Sequence, residues 1–153
     1  MIRTIGCLFN LLHIAFGCLI GWTPFNTSCY HLSGESTSWM DAMKMCEMRG
    51  AYLVHVDAAS EDDFITSLMK TNGVHNVWLG GSDWSVEGQW VWEPEGTPFQ
   101  YSCFSSGKPD NKNGENCLVK QAHHHYHWND NDCDDHNAYI CENRNNLGNP
   151  AVG

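Results

Sequence analysis

Apolar residues recur at helical spacing in the first half of the chain and in short strand-like runs in the second. Trp39, Ala42, Met43 and Cys46 fall at i, i+3, i+4 and i+7, one face of a helix that opens at Ser38. Gly50 is its natural stop. Tyr52-Leu53-Val54-His55-Val56 reads as a strand. Ser60-Glu61-Asp62-Asp63 reads as a second helix start, with Ser60 as N-cap and acids in the first turn. Phe64, Ile65, Leu68 and Met69 supply that helix's buried stripe, and Asn72-Gly73 closes it. Beyond it, Val77–Gly80, Gln89–Trp92, Cys117–Val119 and Tyr139–Cys141 are compact apolar runs of strand length. Residues 94–116 are rich in Pro, Gly, Ser, Asn and Asp. A connection that long in a compact domain is usually functional when ordered. There is no internal repeat and no sign of a second domain.

Composition narrows the picture. The 153 residues suffice for one domain, and seven Trp within a 42% hydrophobic chain support a packed core. A formal net charge of −10 argues against nucleic acid or an anionic membrane as partner and is compatible with cations or neutral ligands. Arg3, the largely apolar stretch Ile5–Ile20 and the small-x-small triplet Ala15-Phe16-Gly17 read as a signal peptide over residues 1–17. Asn10 and His13 break the stretch, which is short for a membrane span, so secretion without membrane insertion is expected. An oxidising destination permits disulfides. Of eight cysteines, Cys7 leaves with the signal, and the remaining odd number leaves one without an internal partner. Asn26-Thr27-Ser28 is an N-glycosylation acceptor at Asn26. Residues 143–153, polar and Gly/Pro-bearing, read as a flexible tail.

Several segments then fall into a familiar order: Cys18 to Trp22 with Ser28-Cys29-Tyr30, Cys46 on the first helix, Trp78-Leu79-Gly80, Gly88-Gln-Trp90-Val-Trp92 leading to Gly96-Thr97-Pro98, Glu115-Asn116-Cys117, and Trp128-Asn129-Asp130 followed by Cys133. Together they resemble the C-type lectin-like domain over residues 18–142. The resemblance implies an α+β fold, two helices flanking small antiparallel sheets with a long ligand-binding loop. It also implies three disulfides, Cys18–Cys29, Cys46–Cys141 and Cys117–Cys133. Closing a loop as long as the second restricts the unfolded chain by about 4–5 kcal/mol in the chain-entropy account. Cys103 is left over. It is either a buried thiol or an interchain link making a homo- or heterodimer.

Lectins of this family hold Ca²⁺ with side-chain oxygens, and the sugar completes the shell with two hydroxyls. The resemblance carries those roles onto Lys108, Asp110, Glu115, Asn129 and Asp130. Lys108-Pro109-Asp110 departs from the pattern. The family places Glu or Gln first, Glu-Pro-Asn with mannose-type and Gln-Pro-Asp with galactose-type sugars. Ca²⁺ takes about six to eight oxygens, whereas an ammonium offers only donors and repels the ion. The expectation is a weak or lost primary calcium site at Asp110, Asn129 and Asp130, with calcium dispensable. Carboxylates and aromatic faces would instead grip an acetamido group, hence GlcNAc or GalNAc. Asp83, Glu87, Asn111, Glu115 and Asn116 resemble an accessory calcium site, although Asn111 stands where an acid is common. The competing reading is exposed acids in a turn. In the run His123-His124-His125-Tyr126-His127, a strand would put His123, His125 and His127 on one face, about 7 Å apart, too far to share one Zn²⁺ easily. A polar wall beside the sugar is preferred, with His127 stacking on it and changing charge near pH 6.5.

No Ser or Cys sits in a nucleophile motif with a base and an orienter, so an enzyme is not expected. The leading expectation is a secreted lectin that agglutinates glycan-bearing cells in innate defence, its avidity raised by a Cys103-linked dimer. The alternatives are a domain of this fold that contacts proteins, or one associated with mineral, matrix or ice.

Overall fold

The computed structural model describes residues 17–144. Apart from Gly17, the expected signal segment lies outside the described residues, as does residue 145 onward. The elements run β1 (Thr23–Phe25), β2 (Ser28–Leu32), α1 (Trp39–Met48), β3 (Tyr52–Leu53), α2 (Ala59–Thr71), β4 (Asn76–Ser82), β5 (Val91–Trp92), β6 (Thr97–Pro98), β7 (Cys117–Gln121), β8 (His127–Asn131) and β9 (Ala138–Asn143). The strands pair in the order β1-β2-β9-β4-β5-β6, with β3 on β9, and β7 joining β4 to β8. Every pairing is antiparallel except β4 with β9. This is the expected α+β, disulfide-stapled architecture, and the three disulfides Cys18–Cys29, Cys46–Cys141 and Cys117–Cys133 are all formed.

Helix α1 starts as its sequence implies, with the Ser38 hydroxyl accepting the Asp41 N–H and Trp39, Ala42 and Cys46 buried. Helix α2 differs. It begins at Ala59 with Ala58 as N-cap and no side-chain cap bond, so Ser60 is inside the helix. The reason lies with Glu61, whose carboxylate turns back to accept the Asp57 N–H at 2.9 Å and the Tyr30 hydroxyl at 2.6 Å. Glu61, in the first turn, thus ties the segment before the helix, while no side chain caps the first-turn amides. The strand expected over 52–56 is regular only through Leu53. Val54–Val56 stay buried, but the His55 N–H leaves the ladder for the Glu142 carboxylate at 3.4 Å. Gly80 explains the Trp-Leu-Gly run: a Cβ there would collide with the Leu53 carbonyl, so only glycine lets the two strands approach.

The expected tail is corrected at its start. Asn143 ends β9, and Arg144 binds Glu142 and Asp57 at 2.7 Å each, so the folded unit reaches Arg144. The segment 94–116 is also less loose than its composition implies. Phe99, Tyr101 and Phe104 pack edge-on against Trp128 with centroids 5.6–5.8 Å away, and Phe104 bridges Trp128.

Under this aromatic cluster sits a fully buried ion pair. Asp62 of α2 accepts from Lys120 Nζ (2.7 Å) through one oxygen and from Trp128 Nε1 (2.7 Å) through the other. Removing one member of such a pair leaves an uncompensated buried charge. Lys120→Ala should therefore lower unfolding free energy by about 3–5 kcal/mol in urea denaturation. The double replacement Asp62→Leu/Lys120→Met should cost less than either single one; additive losses would refute a coupled pair.

Candidate functional site

The site is assembled from the long loop and the β7–β8 hairpin. Register pairs Leu118 with Asp130 and Val119 with Asn129, and Cys117–Cys133 clamps the hairpin's open end. Asp130 is fully buried, and its Oδ2 accepts two loop amides, those of Asp110 (2.9 Å) and Asn111. One carboxylate thus draws the tip of the loop down onto β8. The result is that oxygens of Asp110, Glu115 and Asp130 all lie within 4.8 Å of one another. Glu115 Oε2, Asn129 Oδ1 and Asp130 Oδ1 are buried without a hydrogen-bond partner. Buried acceptors left unmatched are costly, and hard oxygens so placed fit a divalent cation of calcium's type. Asn129 is oriented from behind, its Nδ2 donating to Gln121 Oε1 at 3.1 Å.

Lys108 enters this cluster. Its Nζ lies 3.0 Å from Asp110 Oδ2, and the ammonium is largely shielded while Asp110 stays open to solvent. Burial alone would pull the lysine down, but the Asp110 hydrogen bond and the charges of Asp110, Asp130 and Glu115 outweigh it and hold Lys108 above its ordinary value. The same hydrogen bond holds Asp110 below the usual carboxylate range. Glu115 goes the other way: burial first, then the Asp130 charge, push its carboxyl up. One member of the cluster therefore gives up its proton more readily than a free aspartate, and another binds its proton more readily than a free glutamate.

Of the expected accessory residues, Asp83 and Glu87 do meet. Asp83 is buried, one oxygen accepting the Gly88 N–H at 2.9 Å and the other unpartnered. Partial desolvation and the neighbouring Asp83 carboxylate raise Glu87. Asn116 is adjacent through its carbonyl, which accepts the Asp83 N–H at 3.3 Å. Asn111 is exposed and tied by its backbone to Asp130.

The histidine run is corrected. It is not a strand: Ala122–His124 form a 3-10 turn, and His125 and Tyr126 take positive φ (56° and 62°). The Tyr126 N–H closes onto the Gln121 carbonyl, and Lys120 Nζ holds the Tyr126 carbonyl, so the segment is the hairpin's reversal. The alternating-face argument falls with it. His127 opens β8 at the end away from Cys117, exposed, its Nδ1 3.0 Å from the His124 carbonyl. The acidic trio is the one group of His, Cys, Asp or Glu side chains with metal-holding geometry among the described residues.

Cys103 is the free thiol, half-buried and packed against the core, with its carbonyl accepting the Trp128 N–H. Asn26 is exposed in the β1–β2 turn. Sequence reasoning missed the Asp62–Lys120 pair. Asp62 looked like a helix-start acid and Lys120 like the residue after an apolar run, and nothing in either signals the other.

A cation-fitting oxygen cluster on a disulfide-clamped loop and hairpin, mounted on this α+β frame, defines a C-type lectin-like carbohydrate-recognition architecture. The chain belongs to the Lectin C-type domain family, whose sequence model matches residues 35–143. It is 33% identical over 127 residues to a perlucin-like protein of Mytilus galloprovincialis, covering 81% of each chain. It is 35% identical over 129 residues to perlucin of Haliotis laevigata, covering 82% of this chain and 83% of that one. The human scavenger receptor C-type lectin carbohydrate-recognition domain superposes with a TM-score of 0.77 at 32% identity, over 83% of this chain and 98% of that one. No helix among the described residues is long and apolar enough to cross a membrane.

Because the Lys108 ammonium competes for Asp110, Lys108→Gln should tighten Ca²⁺ binding at least about tenfold by titration calorimetry, an ion-pair-sized effect; an unchanged affinity would remove Lys108 from the site. A raised folded-state value for Glu115 means that stability is lost as pH rises from the ordinary glutamate value through the raised one. Without divalent ions, Glu115→Gln should abolish that loss in pH-dependent thermal melts, with no difference from the parent at lower pH, where the parent's Glu115 carboxyl is protonated.

Proposed function

We propose that this protein is a secreted lectin whose loop–hairpin site binds N-acetylated hexosamines, GlcNAc or GalNAc, with weak or dispensable calcium. The observation that carries the reading is Lys108 Nζ at 3.0 Å from Asp110 inside the carboxylate trio. The ammonium supplies part of the positive charge those acids need and leaves Glu115 and Asp130 with unpartnered oxygens. An acetamido N–H or a sugar hydroxyl can donate to them, and Lys108 can donate to a sugar oxygen. Where calcium binds, Asp110, Glu115, Asn129 and Asp130 would hold it, and it would supply coordination positions for two sugar hydroxyls. Asp83 and Glu87, with Asn111, Glu115 and Asn116, form the accessory cation site in the same reading. The protein acts by binding, not catalysis.

A shallow single-sugar site of this kind binds near millimolar, about −4 kcal/mol. Pairing of two copies, or of this chain with another, through Cys103 would multiply avidity and allow agglutination of glycan-bearing cells in innate defence. Cys103 must swing from its half-buried seat to do so. Secretion and a glycan at Asn26 belong to the same reading. The second reading, a protein-binding or mineral-associated module without sugar affinity, is favoured by the same Lys108 if the ammonium neutralises the site without leaving room for a ligand.

The two readings separate on immobilised GlcNAc and GalNAc. The lectin should be retained in EDTA and released by the free sugar, and Glu115→Ala should pass through unretained. Absence of retention on either resin favours the second reading, and capture by mannose alone, lost in EDTA, contradicts the calcium-sparing mechanism. On non-reducing gels the parent should run as a dimer and Cys103→Ser as a monomer; a monomeric parent removes the interchain link.

A further inference from the structure

Helix α1 carries four of the chain's six methionines, Met40, Met43, Met45 and Met48. Its core-facing side is already filled by Trp39, Ala42 and Cys46, so these are not all core residues. Met40 is half-exposed, and Trp84 in the turn after β4 is exposed. Between them lie two adjoining hollows of about 390 and 200 Å³ that share Met40, Met43 and Glu93. Pro94 walls the larger hollow and Trp84 the smaller. Methionine side chains are unbranched and polarizable and mould to varied apolar partners. A large exposed Trp beside them is the kind of residue that anchors an interface.

The rim is acidic. Glu47, Glu93 and Glu95 line the larger hollow, and its lysine, Lys44, leans on Asp41 at 3.4 Å instead. Glu93 is held in place by the Ser82 hydroxyl at 3.0 Å. Glu95 also lies 3.8 Å from the His55 imidazole, while no lysine or arginine among the described residues pairs with Glu47, Glu93 or Glu95, so an apolar floor under this acidic rim selects an occupant that brings apolar side chains beside positive charge. A second copy is a poor match, because the chain carries a net −10 and would set acid against acid. The sugar site draws on none of these residues.

We propose that this methionine-lined groove on α1 docks a partner-protein segment in which apolar side chains alternate with Lys or Arg. The groove makes the protein two-sided, with a ligand loop on one element set and a protein contact on another.

The test is titration of the whole protein, its methionines ¹³C-methyl labelled, with a synthetic Leu/Lys peptide, beside Leu/Glu and Ser/Lys peptides of equal length. The Leu/Lys peptide should shift the Met40 and Met43 methyl signals saturably while the core residue Met69 stays still. The shift should weaken as salt rises, and the paired surface change Glu47→Lys/Glu95→Lys should reduce affinity at least about tenfold. An unchanged Met69 signal verifies that this variant is folded. The proposal is overturned if the Leu/Glu or Ser/Lys peptide binds as well, or if no peptide saturates. It is equally overturned if dilution of the protein alone moves the same signals, making a second copy the occupant. The last overturning result is peptide binding that emerges only after residues 1–16 are removed, making that segment the cover.

Discussion

The Asp62 carboxylate is the hinge pin of this structure. It reaches from α2 into the core, where one oxygen takes the Lys120 ammonium and the other the Trp128 indole. Both partners belong to the β7–β8 hairpin, so a single helix residue fixes the position of the two strands that carry the site. Trp128 is also the hub on which Phe99, Tyr101 and Phe104 rest, so the same anchor holds the long loop from below. From Trp128 the chain passes directly to Asn129 and Asp130, and Asp130 seizes the loop's Asp110 and Asn111 amides. The placement of a solvent-facing loop thus traces back to one buried ion pair. Buried charge of this kind adds little net stability but is intolerant of misalignment, which suits a hairpin whose register must present two specific side chains.

What that scaffold presents is an electrostatic compromise. Three carboxylates in close quarters repel one another, and desolvation raises Glu115 further. Nature resolves such a cluster with a metal, a proton or an internal cation. Here Lys108 supplies the third solution in part, satisfying Asp110 and leaving buried oxygens of Glu115, Asn129 and Asp130 unmatched. Three carboxylates converge within 4.8 Å, and the Lys108 ammonium beside Asp110 changes their charge balance.

Much of this was legible in the residues. Both helices and the Trp-Leu-Gly strand follow from apolar spacing, and the three disulfides are those that the family resemblance implied. Asp110, Glu115 and Asp130 converge as the resemblance implied. The misreadings share a cause: long-range polar contacts that local pattern cannot carry. Ser60 lost the cap role because Glu61 was recruited by Asp57 and Tyr30. The strand at Val54–Val56 was interrupted by Glu142, a residue almost ninety positions away. The histidine run, alternating on paper, became a turn because Lys120 and Gln121 bind the Tyr126 backbone. The first two residues of the expected tail, Asn143 and Arg144, belong to the fold, and the partners of Arg144 lie on β9 and before α2. In each case a side chain from a distant segment outbid the local preference.

The central claim is that an ammonium holds part of a calcium-type site while the neighbouring acids receive the sugar. Its most direct test is a crystal structure grown with millimolar Ca²⁺ and GlcNAc. The account predicts Lys108 Nζ still against Asp110 and the acetamido group in contact with Glu115 or Asp130. A calcium ion at the centre of Asp110, Glu115, Asn129 and Asp130, with Lys108 swung out into solvent and the sugar bound through the metal, would contradict it.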